Sequence, residues 1–349
     1  MTAWRRKATM QASLRKRAGT EMSSKLRLLL ACGDYEITRP LIDGRVQPAG
    51  IELTVITPES RERHWRVARD HAYDICEFNT PAYFMGRDRG LPYVGLPVYL
   101  HRRFRHGFLF VNSNKGFKEP KDLIGKRVAC TNYSPASNIW MRGILEQFHG
   151  LPHRSITWVT ERDEDVPFEP HPGLKIEKLA PGGPSLEDRV VSGELDGLLT
   201  PSLPKAFMAG NPNIKRLFDD YRQVEIDYWK RTGIFPIMHV TIIREDIVKQ
   251  HPWVGPSLAR AFDQAKALAY ARVHNPRTVP LAWFSSYWDE QHDLLGDDPW
   301  AYGLGPANRN NLDTILRYTH QQGLISRPMT VDELFIDTDE TGYGGPGGD

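Results

Sequence analysis

Apolar and polar positions alternate along the chain in a way that marks out short strands and amphipathic helices in turn. The first apolar run, residues 26–32, is broken only by Arg27 and ends at Gly33-Asp34, a length and stop that predict a buried strand. A second strand is expected at 51–56, after the turn Pro48-Ala49-Gly50. The periodicity then predicts a helix at 58–69, a strand at 73–78, a helix at 81–89 and a strand at 93–99. Strands alternating with helices predict a parallel sheet covered on both faces.

After the apolar run Phe108-Leu109-Phe110-Val111, the segment 118–129 begins a fresh series. It carries a helix at 136–148, a strand at 156–160, a helix at 185–192 and a strand at 196–199, followed by an alternating strand at 237–243. Beyond Trp253 the chain reads as mostly helical, most clearly at 258–273 and 310–322. This order gives one lobe, a second, and a return to the first. The expected division is lobe I at 24–112 plus 236–341 and lobe II at 113–235. Residues 1–23 are read as a disordered basic extension, and 342–349, with five glycines and a proline, as a disordered tail. Ligands of open α/β sheets bind at the carboxyl ends of strands, so two facing lobes make a cleft whose first candidates are Asp34, Glu77, Thr131 and Thr200.

Composition narrows the function classes. The 349 residues are 40% hydrophobic and 25% charged, in the range of a globular protein. The 45 Lys and Arg against 43 Asp and Glu leave a net charge of +2, and residues 1–23 hold six bases and one acid, so the remainder is mildly acidic. That balance argues against a nucleic-acid partner. No run approaches the roughly 18 apolar residues of a membrane span, and the basic N-terminal segment lacks the apolar stretch of a signal peptide. Cys32, Cys76 and Cys130 are odd in number, and each ends an apolar run, which predicts buried free thiols and a cytoplasmic location. Homo-oligomerisation is left open.

Among signatures of chemistry, there is no phosphate loop, no dinucleotide GxGxxG after the first strand, no HExxH, no CxxC and no nucleophile-elbow GxSxG. His149 and His153 have metal-like spacing, but Gly150 and Pro152 between them argue against a shared helical face, so no metal is expected. Three weak signals remain, each with a purely structural reading beside it. Arg105-His106 precedes an apolar strand and reads equally as an exposed basic strand start. His239 lies in the apolar strand Phe235-Pro236-Ile237-Met238-His239 and reads equally as a satisfied core histidine. Asn308-Arg309 follows Tyr302-Gly303, where Asn308 reads equally as a helix cap.

These signals coincide with a longer pattern: Ala31-Cys32-Gly33-Asp34-Tyr35, Pro48-Ala49-Gly50-Ile51, Phe104-Arg105-His106, Gly125-Lys126-Arg127-Val128, Trp140-Met141-Arg142-Gly143, Gly193-Glu194-Leu195-Asp196, Arg231 through His239, and Tyr302-Gly303 to Asn308-Arg309. In collinear order over about residues 25–336, it resembles the 4,5-dihydroxyphthalate decarboxylase family. The resemblance implies an α/β fold of the type II periplasmic-binding-protein kind, with two lobes, a ligand cleft between them and no redox cofactor. It also implies non-oxidative loss of CO2 from an aromatic carboxylate. The chain departs from the family pattern at 76–81, 130–135 and 201–202, all expected at the cleft.

Such a reaction needs a proton for the ring carbon, electron density from a ring hydroxyl, and a clamp for anions. Histidine suits the acid and base work, and arginine binds carboxylate bidentately. His106 and His239 are accordingly expected as the acid/base pair, and Arg105 and Arg309 as clamps. Glu77 or Asp34 would be the orienter or phenol base, with Asn79, Tyr302, Asn308 and Thr131 as substrate hydrogen-bonders. Arg105, His106, His239 and Arg309 should then converge in one cleft. The competing reading is a binding protein that captures an aromatic or sulfonated anion for transport or sensing.

Overall fold

The computed structural model describes residues 25–275 and 277–338; the expected extension 1–23 and tail 342–349 lie outside the described residues. In chain order the longer elements begin with β1 (Leu26–Ala31), β2 (Ile51–Ile56), α1 (Ser60–Asp70), β3 (Ile75–Asn79), α2 (Thr80–Asp88) and β4 (Tyr93–Arg102). They continue with β5 (Leu109–Asn112), β6 (Arg127–Cys130), α3 (Ala136–His149), β7 (Thr157–Thr160), β8 (Lys175–Lys178), α4 (Leu186–Val191), β9 (Gly197–Leu199), β10 (Ile214–Arg216) and α5 (Tyr221–Thr232). The chain returns through β11 (Ile237–Arg244), α6 (Val254–Val273), α7 (Phe284–Leu295) and α8 (Pro306–Gln321). No helix among the described residues is long and apolar enough to cross a membrane.

Two sheets form, ordered β2-β1-β3-β11-β4 and β10-β5-β9-β6-β7-β8. Both are mixed, which corrects the expectation of purely parallel sheets: β11 runs antiparallel to β3 and to β4, because it re-enters the first sheet from the second lobe. A second correction concerns β5. Counted with the first lobe on sequence order, it pairs antiparallel with β9 and β10 and belongs to the second sheet. The crossover therefore lies just after β4, at residues 103–108, and the return crossover at 233–236.

Local sequence explains the helices that border the cleft. The Asn79 side chain accepts from the Ala82 N–H at the start of α2, and Pro81 occupies its first turn. Helix α3 starts after Pro135 and stops at Gly150, whose φ of 64° is the left-handed conformation that glycine adopts at low cost. Helix α8 packs against α3, with the Tyr318 ring over Gly143. The two lobes share an apolar core that includes Tyr83, Phe84, Trp140, Ile144, Ile237 and Tyr318. Trp140 also donates its indole N–H to the Ile237 carbonyl at 2.9 Å, fastening α3 to the return crossover.

Candidate active site

Glu77, fully buried in β3, receives four donors on one carboxylate: Gly33 N–H at 2.7 Å and Arg63 Nη2 at 2.9 Å on Oε2, Tyr35 hydroxyl at 2.9 Å and His239 Nδ1 at 2.6 Å on Oε1. Gly33 is needed for this approach, since a Cβ there would lie 2.2 Å from the Tyr35 ring. Burial alone would raise the Glu77 carboxyl, but Arg63, His239 and the Gly33 N–H hold it well below the usual carboxylate range. An ionised carboxylate only accepts, so the Nδ1 of His239 carries the proton and Nε2 is left as the working nitrogen.

Pairing across the sheet places two more imidazoles beside it. His239 on β11 lies opposite Asn79 on β3 and His101 on β4, and the His101 and His239 ring centroids are 4.8 Å apart. His64 comes from α1, its ring centroid 4.9 Å from that of His239. Burial, and then the charge on His239, lower both His64 and His101 well below the ordinary imidazole value, so they are neutral near pH 7. His64 Nε2 and His101 Nδ1 are buried with no hydrogen-bond partner among the described residues. A partner for both is the kind of group a polar ligand supplies.

The facing wall comes from the second lobe. The Asp165 carboxylate lies 3.9 Å from His64 Nδ1, and burial, with neighbouring Glu164, pushes its carboxyl up to about 6. Arg105, on the crossover and 2% exposed, donates to the Pro201 carbonyl at 3.0 Å and has Nε 3.3 Å from the Met238 sulfur. Burial lowers its guanidinium to about 9. Its guanidinium also lies 5.2 Å over the Phe108 ring and feels Arg103 and Glu225, and a desolvated cation with no ion pair among the described residues is set to gain from an anion. Next to His101 lies an interlobe cavity of about 880 Å³, lined by Arg103, Arg216, Tyr221 and Glu225 among others.

Of the residues expected from the sequence, Glu77 and His239 meet through a hydrogen bond, Arg105 is buried on the crossover beside Met238, and the others are engaged elsewhere. His106 is not the partner of His239. The short 3-10 turn His106–Phe108 carries it into the second lobe, where its ring packs against Phe218 at 5.6 Å and Tyr228 at 5.5 Å. Burial and the nearby His149 lower it to about 3. Arg309 is engaged at the surface, Nη2 on Asp332 at 2.8 Å and Nε on the Leu304 carbonyl. Asp34 pairs with Arg39 at 3.0 Å, half exposed. Asn79 caps α2, and Asn308 donates to the carbonyls of Ala301, Tyr302 and Gly303 while accepting from Arg102. The Tyr302 ring lies 4.1 Å from the Lys266 ammonium, and the Thr131 carbonyl accepts from Glu161 and Arg162. Sequence reasoning missed Arg63, His64 and His101. The signal for the first two was available: the buried stripe of α1 is Arg63, His64 and Val67, two polar side chains where the helical period demands apolar ones.

Two lobes joined by two crossovers, with a ligand cleft between them, define a type II periplasmic-binding-protein fold. The periplasmic aliphatic sulphonate-binding protein of Escherichia coli superposes with a TM-score of 0.55 at 13% identity, over 89% of this chain and 96% of that one. A sulfonate-binding protein of Methylobacillus flagellatus gives 0.56 at 15%, over 90% and 92%. Residues 46–166 match the family described as NMT1/THI5 like. In sequence, a 4,5-dihydroxyphthalate decarboxylase of Comamonas testosteroni is 34% identical over 320 residues, 89% of this chain and 97% of the relative. One of Pseudomonas putida is 33% identical over 214 residues, 59% of this chain and 83% of the relative. The chain belongs to the 4,5-dihydroxyphthalate decarboxylase family.

Proposed function

We propose that the protein is a carboxy-lyase that removes CO2 from a hydroxylated aromatic acid of the dihydroxyphthalate kind, with His239 as proton donor. The observation that carries this reading is the Glu77–His239 contact, with the His239 ring flanked by the two neutral imidazoles of His64 and His101. Arg105 holds a carboxylate of the substrate. The bond from ring to leaving carboxylate breaks, its electron pair stays on the ring carbon, and CO2 departs. That carbon takes a proton that solvent delivers to His239 Nε2, while Nδ1 keeps its hydrogen on Glu77. Glu77 fixes the ring orientation of His239, while His64 and His101 accept from or donate to the ring hydroxyls. Buried free thiols at Cys32, Cys76 and Cys130 support a reducing compartment such as the cytoplasm.

The test is CO2 release from 4,5-dihydroxyphthalate by the purified protein and by His239→Gln. Turnover should fall by about 10²- to 10⁴-fold while the dissociation constant changes only a few-fold, because the variant loses a proton donor and keeps the anion clamp. Tight anion binding without CO2 release from any hydroxylated acid would instead make this a binding protein, like its structural neighbours.

A further inference from the structure

Beneath α7, next to the cavity beside His101, lies a second cavity of about 420 Å³. The two spaces share His101, Arg102 and Trp300 in their walls. Their chemistry differs. The first is bordered by Arg103, Arg216 and Glu225, whereas the second is walled by Tyr35, Leu100, Tyr270, Phe284 and Trp288. The two charged residues that reach the second cavity are occupied elsewhere. The Arg102 guanidinium donates to the carbonyls of Phe235 and Ala301 and to the Asn308 side chain, and Glu36 lies within ion-pair distance of Arg39 and Arg272. Only the buried Nε–H of Arg102 is left without a hydrogen-bond partner among the described residues.

Helix α7 adds an independent observation. It buries no residue fully although it carries Phe284, Tyr287 and Trp288, and Tyr287 is 61% exposed. It is nevertheless tied to the second lobe: Trp229 of α5 donates to the Leu294 carbonyl at 2.7 Å, and Arg222 pairs with Glu290. Trp288 stands edge-on to Tyr270 at 5.6 Å, leaving aromatic surface turned to the empty space. Trp288 also meets His274 edge-on at 5.1 Å, and an aromatic helix face that borders an open cavity is completed by a ring-shaped apolar group.

We propose that this cavity is a specificity pocket for a second ring, so that the preferred substrate is a hydroxylated aromatic acid bearing a fused ring or an apolar substituent of that size. This rests on the carboxy-lyase reading for the chemistry, while the pocket stands on its own geometry. The carboxylate lies toward the arginines, the reacting ring at His101 and His239, and the apolar extension under Trp288. A phthalate carrying two carboxylates and two hydroxyls leaves this pocket unfilled.

The matched probes are salicylate and 3-hydroxy-2-naphthoate, which share a carboxylate and an ortho hydroxyl and differ by one fused ring. Calorimetric titration of the full chain should find the naphthoate about tenfold tighter, from burial of four added ring carbons. Trp288→Ala should reduce that preference to about twofold, with salicylate affinity unchanged. Tyr287→Ala, at an exposed position that cannot threaten folding, should reduce it by a smaller factor. Equal affinities in the unaltered protein, or a preference that survives both substitutions in folded variants, would overturn the pocket. Absence of CO2 release from 4,5-dihydroxyphthalate, salicylate and 3-hydroxy-2-naphthoate alike, alongside a ring preference lost in Trp288→Ala, would overturn the lyase reading and leave the pocket standing.

Discussion

Glu77 does two jobs with one carboxylate: it neutralises Arg63 in the interior and aims His239 at the cleft. Replacing it with Gln removes the charge and sets an amide N–H against donors, leaving Arg63 buried without a counter-ion. Loss of one member of a buried pair costs about 3–5 kcal/mol. Glu77→Gln should therefore lower the urea midpoint strongly, and in the fraction that remains folded it should reduce kcat with KM little changed, since the His239 ring loses the acceptor that orients it. A positioning role fails if kcat is unchanged, or if KM rises in step with any loss, in the folded variant. Glu77 and His239 were legible from the sequence, because a carboxylate at a strand end and a histidine in an apolar strand stand out against their neighbours. Arg63 and His64 left a signal only as polar residues on the apolar period of α1, and His101 left none, since a polar residue at a strand terminus reads by default as solvated. His106 misled for the opposite reason: its adjacency to Arg105 suggested joint action, yet the tight turn at 106–108 sends consecutive side chains into different lobes.

At the level of elements, the contact between α3 and α8 turns on Gly143. Alanine is favoured over glycine in a helix by about 1 kcal/mol, but a Cβ at 143 would lie 2.2 Å from the Tyr318 ring. Overpacking of a filled core costs about 1–3 kcal/mol, so Gly143→Ala should destabilise by up to ~2 kcal/mol net in denaturant unfolding. Combined with Tyr318→Ala it should cost less than the two single changes added, because the first change loses its clash. Stabilisation by Gly143→Ala alone would show that the helices part without cost. Most elements were readable from period, stops and caps, such as α3 between Pro135 and Gly150. Helix α5 was not, because Tyr221–Thr232 buries only Tyr228 fully and so shows little apolar stripe. Strand β5 was visible as a strand, but its sheet was not: pairing partners are non-local and leave no mark on a four-residue apolar run.

For the molecule as a whole, the buried titratable groups pull stability in opposite directions with pH. His64, His101 and His106 are lowered in the folded state, so the unfolded chain binds more protons below about pH 6.5; their contribution is full above that value and is lost as pH falls. Burial raises Glu225 to about 7 and Asp165 to about 6, so their contribution is full at low pH and is lost as pH rises through those values. Burial lowers His149 and His153 as well, so five imidazoles against two carboxyls leave the unfolded chain holding more protons near pH 5.5, and stability falls as pH falls. Thermal unfolding should show Tm falling from pH 7 to pH 5. Glu225→Gln should raise Tm at pH 8 and steepen the fall below pH 7; a flat profile in both proteins would contradict the burial of these groups. The two-lobed plan itself was legible, since a return strand after a second strand–helix series has few arrangements. The boundary at the crossover was not, because it depends on where β5 finds its partner.

The position of β11 between β3 and β4 has a consequence for biosynthesis. As the polypeptide leaves the ribosome, β3 and β4 emerge early, but the strand that joins them follows only after every strand of the second sheet. The second lobe can close its sheet while the first still has a gap in its middle, with β3 and β4 exposing unpaired backbone edges. The nascent chain thus passes through a stage in which one half is finished and the other is open to mispairing, and the histidine of the candidate site arrives on the very strand that ends that stage.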